Sequence, residues 1–379
     1  MKRVPENLLV FSHLRWDFVF QRPQHLLTRF TREFNVYFFE EPVFDVPKDG
    51  DSYLSISKRE DKLWVLVPHL PEGKEKKDNI SAQKQILKTF LKEKSLSDFI
   101  FWYYTPMALE FSAEYFPSLV IYDCMDELTG FKNAPTELSY LEKELLTRAD
   151  VVFTGGQSLY EAKKHQHQNI HPFPSSIDKK HFAKARKRIA GPADQVNISG
   201  KKFGFYGVID ERFDHQLIGK VASARPDWNF VLIGPVVKID PAILPKNKNI
   251  HYLGGKSYEE LPSYLAGWDV AMIPFLLNES TRYISPTKTP EYLSAGIPVI
   301  STPIRDVINP YGMLNLVSII NNAEQFIASA ESELAKSKKE WLTEVDSFLA
   351  NKSWDQTWSD MMDLIRKAIG SKIAVPLSA

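Results

Sequence analysis

The chain has 379 residues, long for one hydrophobic core and suited to two domains of ordinary size. Apolar residues make up 44% and charged residues 25%, as in soluble globular proteins, and 47 basic against 47 acidic side chains give no global pull toward nucleic acid. The single cysteine, Cys124, excludes an internal disulfide and suits a reducing cytoplasm, and no apolar run approaches the roughly 18 residues that span a membrane.

Residues 7–12 form a short apolar run that predicts a buried first strand. The loop after it is crowded with Arg15, Arg22 and His25 and with Trp16, Phe18 and Phe20. In a doubly wound sheet this loop sits at the carboxyl edge, where ligands bind, so the three cations can face a phosphate or an acidic sugar. The alternative is that the aromatics pack and the cations lie in solvent. A helix follows to about Phe34, then strands over 35–39 and 63–67 and a lysine-rich polar loop over 68–79. Over 80–94, Ile86, Leu87, Phe90 and Leu91 recur at helical spacing with Lys84, Lys88 and Lys92 on another face. Such a basic amphipathic helix is either a solvated outer helix or one that lies against anionic lipid.

Strands over 98–103 and 119–122 continue the first sheet. The second ends in Tyr122-Asp123-Cys124-Met125-Asp126-Glu127, which places three acids just past its carboxyl end. A carboxylate there can take a proton from a hydroxyl nucleophile, although Asp and Glu are also ordinary turn residues. No His or Cys pattern accompanies these acids, so no metal and no other cofactor is expected. A helix over 139–148, a strand over 150–154 and another helix opening at 154–159 follow. The basic run 179–188 and the polar stretch 191–200 mark a domain boundary.

The second block restarts with a strand over 202–207, ending at Gly207, and Arg212 is the cation of the loop beyond it. Further strands begin at Trp228, His251 and Asp269, with a helix over 257–265. The stretch 285–301 reads as turn, helix, tight turn and strand. Ser285 and Pro286 fit the N-cap and first helical position, and Gly296 fits the stop. The helix start offers free amides that Lys288 reinforces with a full charge, and Glu291 shares its face, so a diphosphate can dock with sugar hydroxyls beside it. A surface helix with an i,i+3 ion pair has the same spacing. A strand over 315–320, a helix over 323–349 and an amphipathic helix over 354–369 complete the chain. Strand and helix alternate throughout, which argues for an α/β fold of two Rossmann-like doubly wound domains facing a cleft.

The run Pro286, Lys288, Glu291, Tyr292, then Ala295-Gly296-Ile297-Pro298-Val299, resembles the donor-site helix of GT-B fold glycosyltransferases of the family 4 type. Many relatives carry two glutamates eight positions apart here; Glu291 stands at the second position and Tyr283 at the first. The segment from Tyr122 to Asp126, with the helix and strand after it, resembles the inverting xanthan glucuronosyltransferase family, where glutamine occupies the position of Glu291. Residues 170–178 with Phe182 resemble the signature that closes the first GT-B domain, with Ser175 and Ser176 replacing its Asn-Gly. Val208 and Phe213 stand where the usual Arg and Lys of the loop after Gly207 would be.

The resemblance implies a metal-independent hexosyl-type glycosyltransferase that moves a sugar from a nucleotide-diphosphate sugar to an acceptor sugar hydroxyl, in cell-surface polysaccharide or glycolipid assembly. It implies an acceptor-binding domain over 1–185, a donor-binding domain over 200–352, and a C-terminal helix, 353–370, that crosses back onto the first. By the same resemblance Asp126 is the general base. Gly207, Arg212, Ser285, Thr287, Lys288, Glu291 and Tyr292 surround the donor, with Arg15, Arg22 and His25 on the acceptor or phosphate side. The expected partners are a nucleotide sugar and a glycan or lipid-linked acceptor, without nucleic acid. The expected location is the cytoplasm, at the inner face of a membrane touched through 80–94. A nucleotide-sugar epimerase of the same fold and a non-catalytic sugar-nucleotide-binding subunit are the alternatives.

Overall fold

A strand such as Phe99–Tyr103, buried at every position, has no polar alternation because both of its faces are covered, the condition of a parallel strand between two helical layers. The computed structural model describes residues 5–92, 94–187 and 189–374, and it builds two sheets from such strands. The first contains β1 (Asn7–Phe11), β2 (Asn35–Phe39), β3 (Val43–Val46), β4 (Tyr53–Glu60), β5 (Leu63–Pro71), β6 (Phe99–Tyr103), β7 (Leu119–Cys124), β8 (Val151–Thr154) and β9 (Ile170–Pro172). Its order is β3-β5-β2-β1-β6-β7-β8-β9, all parallel, with β4 added antiparallel to β5. The second sheet contains β10 (Lys201–Tyr206), β11 (Trp228–Ile233), β12 (Ile250–Tyr252), β13 (Val270–Ile273), β14 (Val299–Ser301) and β15 (Ser318–Ile319). Its order is β12-β11-β10-β13-β14-β15, parallel throughout.

The period of two along β1 sorts its side chains into two cores. Leu8 and Val10 pack with Trp354, Met361, Met362 and Ile365, so the C-terminal helix Trp354–Ala374 covers one face of the first sheet. Leu9 and Phe11 pack with Ile86, Leu87 and Leu145 on the other face. The second sheet has its own core, running from Ile177 to Leu349. Each fully buried aliphatic side chain contributes roughly 1.5–3 kcal/mol.

Three local expectations change. The segment expected as a polar loop over 68–79 begins as strand, because β5 runs to Pro71 and is paired by β4. β4 itself carries no buried position, and its Lys58, Arg59 and Glu60 blunt the edge, which is why its sequence does not read as a strand. The long helix expected over 323–349 is two helices, Ala323–Ala335 and Lys338–Leu349, parted by extended backbone at Lys336 and Ser337. No Gly or Pro marks that break. Finally, the basic helix spans Lys76–Leu91; Ile86, Leu87 and Leu91 are consumed by the core, and Lys84, Lys88 and Lys92 are left exposed.

Candidate active site

Parallel sheets present the carboxyl ends of their strands at one edge, and here the two edges face each other across one cleft. From the first sheet the loops after β1, β7 and β8 bring Phe18, Phe20, Arg22, Asp126 and Gly155 to its lining. From the second, the loops after β10 and β11 and the segment before β14 bring Gly207, Arg212, Gly234, Ser285, Thr287, Lys288 and Glu291.

Asp126 lies two residues beyond β7. Removal from water raises its carboxyl to about 6, against the opposing pull of Arg212 and Arg22. The segment that carries it is held from both sides. Arg22 donates to both Asp123 oxygens, Nε at 3.1 Å and Nη2 at 2.9 Å, and to the Phe173 carbonyl at 2.7 Å. On the far side Lys163 grips Glu127 at 2.8 Å and Glu142 at 2.9 Å, and Tyr122 donates to the same Glu142 at 2.7 Å. Gly155 packs directly on this segment, since a Cβ there would fall 2.1 Å from the Met125 carbonyl oxygen.

Lys288 opens the helix Lys288–Ser294. Gly207, at φ +134, is where it fits: a Cβ on Gly207 would meet Lys288 Cε at 2.3 Å. Burial lowers the Lys288 ammonium, Arg212 lowers it further, and Glu291, Asp210 and Asp126 work against that. Glu291 is buried, which raises its carboxyl, and it accepts a hydrogen bond from Tyr206 Oη while Lys288 favours its ionised form. Arg212 forks onto Asp210, with Nε at 3.0 Å and Nη2 at 2.6 Å, and lies 5.5 Å over the ring of Phe131 from the first half.

The helix start differs from the expected cap. Thr287, not Ser285, occupies the N-cap and no side chain caps the helix. The Ser285 carbonyl instead accepts from Ser175 Oγ at 3.0 Å, and the Thr289 amide closes a separate turn onto the Pro286 carbonyl at 3.2 Å. Ser285 and Thr287 therefore line the cleft outside the helix proper.

Three other candidates lie outside the lining. Arg15 is spent on Glu40 at 3.0 Å and on the Pro42 carbonyl at 2.9 Å. His25 is buried and stacked on Trp354 at 4.6 Å, and burial pushes it down to about 3, so it carries no charge to offer a ligand. Tyr292 is fully buried behind the site, where its hydroxyl accepts from the Tyr206 amide at 3.1 Å. Arg22 is the one of the three N-terminal cations that reaches the cleft. Sequence reasoning missed Tyr206 and Lys163, which act through contacts between distant segments, and Asp210, which holds Arg212 two residues further along the same loop. It also missed Asp306, whose carboxylate in the second half accepts from the Ser158 amide at 3.0 Å and so caps the helix Gln157–Lys163 of the first.

Among the described residues, no group of three or more His, Cys, Asp or Glu side chains is placed to hold a metal ion. No described helix is long and apolar enough to cross a membrane.

Residues 200–335 match the family model described as Glycosyl transferases group 1. Over 288 residues the chain is 24% identical to the "Putative teichuronic acid biosynthesis glycosyltransferase TuaH" of Bacillus subtilis (strain 168), covering 71% of each. Its fold is similar to that of sucrose-phosphate synthase from Thermosynechococcus elongatus, with a TM-score of 0.71 and 12% identity over 97% of this chain and 100% of that one. A trehalose-6-phosphate protein from E. coli, bound with UDP-2-fluoro glucose, aligns with a TM-score of 0.64 and 12% identity over 97% of this chain and 98% of that one.

Proposed function

From a GT-B chain whose residues 200–335 form a glycosyl transferases group 1 domain, we propose an enzyme that moves a hexosyl unit from a nucleotide-diphosphate sugar to an acceptor sugar hydroxyl with inversion. The observation that carries this reading is the meeting of Asp126 from one half with Lys288 and Arg212 from the other in a single cleft. The donor lies against the second half, its diphosphate beside Lys288 and Arg212 and its sugar and ribose hydroxyls within reach of Glu291. The acceptor lies against the first half. As the acceptor oxygen bonds to the anomeric carbon, its proton passes to Asp126. The bond from that carbon to the diphosphate breaks, and the diphosphate leaves with the electron pair. A carboxyl held at about 6 is ionised at neutral pH and still basic enough to accept the proton.

The charge that develops on the departing diphosphate is met by Lys288 and Arg212, the role a divalent cation fills in other folds, so turnover proceeds without metal. The likeness to a relative named for teichuronic acid biosynthesis supports work on a cell-surface polysaccharide. The neighbour bound with UDP-2-fluoro glucose supports a nucleotide sugar as donor. The exposed row Lys84, Lys88 and Lys92 supports electrostatic contact with an anionic membrane from the cytoplasmic side, since the apolar face of that helix is already buried.

The experiment is a panel of nucleotide-diphosphate sugars with pooled glycan acceptors in EDTA, read by nucleotide release and by the anomeric proton of the product. Glycoside formation with inverted configuration, lost in Asp126→Asn, is the expected result. Release of free nucleotide sugar epimer identifies an epimerase instead, and donor binding without any turnover identifies a binding subunit.

A further inference from the structure

We infer that the first-half wall of the cleft receives the acceptor as an uncharged pyranose stacked on Phe18, and that this wall disfavours a sugar phosphate. The inference names the acceptor chemistry of the proposed transferase and rests on that reading for the word acceptor only. Of the three aromatics in the loop after β1, Trp16 goes into the core, whereas Phe18 and Phe20 remain 52% and 44% exposed and both line the cleft. Phe20 already has a partner: its ring stacks on Tyr258 of the second half at 4.5 Å and meets the His25 ring at 4.7 Å. Among the described residues no ring packs on Phe18. An aromatic face left open in a cleft that holds a proton acceptor is suited to the apolar C–H face of a sugar ring, whose weakly positive hydrogens complement the negative π-face.

Charge narrows the ligand. Among the described residues, the charged side chains on this wall are Arg22 and Asp126. Arg22 is committed to both oxygens of Asp123 and to the Phe173 carbonyl, so these donors are occupied within the protein. That leaves the Asp126 carboxylate, which among the described residues makes no direct ion pair although Arg212 and Arg22 offset part of its charge, as the group facing the acceptor, and at short range it repels a phosphate on the acceptor ring.

The test is saturation-transfer NMR with methyl glucoside, methyl galactoside, methyl mannoside, methyl N-acetylglucosaminide and glucose 6-phosphate on wild type, Phe18→Ala and Phe18→Tyr. At least one methyl pyranoside is expected to show transfer to its ring C–H protons. Phe18→Ala should weaken it about three- to tenfold, the loss of one stacking contact, and Phe18→Tyr should retain it. Glucose 6-phosphate should bind more weakly than that methyl pyranoside. Absence of methyl glycoside binding to wild type, equal binding by Phe18→Ala, or tighter binding of glucose 6-phosphate overturns the inference. Thermal shifts with nucleotide diphosphates run beside it: Phe18→Ala should keep the wild-type shift. A wild type with no such shift defeats the transferase reading, while the glycoside result stands on its own.

Discussion

Replacing Asp126 by Asn separates the base from the fold through stability as well as activity. The carboxyl moves from an ordinary 3.8 to about 6 in the folded protein because burial disfavours its charge. Two pKa units correspond to roughly 3 kcal/mol, and partial exposure of Asp126 to the cleft reduces this to about 1–3 kcal/mol. The sign follows from which state binds the proton more tightly. Below about pH 4 both states are protonated and Asp126 has no effect. As pH rises to about 6 the unfolded chain ionises freely while the folded one resists, and above that the folded state bears the full cost of an ionised buried group. Asparagine carries no charge at any pH. Asp126→Asn should therefore be more stable than wild type at pH 8 by about 1–3 kcal/mol in urea unfolding, with the difference fading toward pH 4. The same variant should lose transfer by about 100-fold or more while keeping donor affinity, and the wild-type rate should fall below about pH 6. A variant less stable at pH 8, or a wild-type rate flat from pH 5 to 8, would refute the reasoning.

Further outcomes follow from single contacts. Lys163→Met leaves Glu127 and Glu142 facing each other without their cation and should cost about 3–5 kcal/mol, measured by denaturant unfolding. Gly207→Ala puts a Cβ 2.3 Å from Lys288 Cε and should abolish nucleotide-diphosphate protection in a thermal-shift assay while the protein still folds. Asp306→Ala removes a helix cap that crosses from one half to the other, and should cost about 0.5–2 kcal/mol and raise protease sensitivity of the segment between the halves. Ile365→Ala, in the helix that covers the first sheet, should cost about 2–5 kcal/mol.

What the sequence made legible, and what it hid, divides along a physical line. The parallel strands read clearly because burial on both faces makes them unbroken apolar runs, as in β6, whereas β4 lies at an edge with no buried position and left no pattern. Lys288 and Glu291 could be placed together because helical spacing puts them on one face, whereas Asp126, in the loop beyond β7, was singled out from Asp123 and Glu127 only by the family resemblance. Arg15 lies in the expected loop, where the backbone does not dictate side-chain direction and Glu40 draws it away, whereas His25 lies inside the helix Arg22–Phe30 on its buried face, stacked on Trp354. Tyr206 meets Glu291 across 85 residues of chain, and Arg22 meets Asp123 across 101, so neither partnership has a local signature. The helix Lys288–Ser294 starts later than its sequence suggests, and the Ser285 carbonyl is engaged instead by Ser175 from the other half, a contact with no local signature.

The most direct test of a donor site built on Lys288 is a thermal-shift series of nucleotide diphosphates in EDTA on wild type and Lys288→Ala. A nucleotide diphosphate at about 100 times its dissociation constant should stabilise wild type by roughly 2.7 kcal/mol, and Lys288→Ala should abolish the shift. No shift in the wild type, or one that survives in Lys288→Ala, would contradict the account.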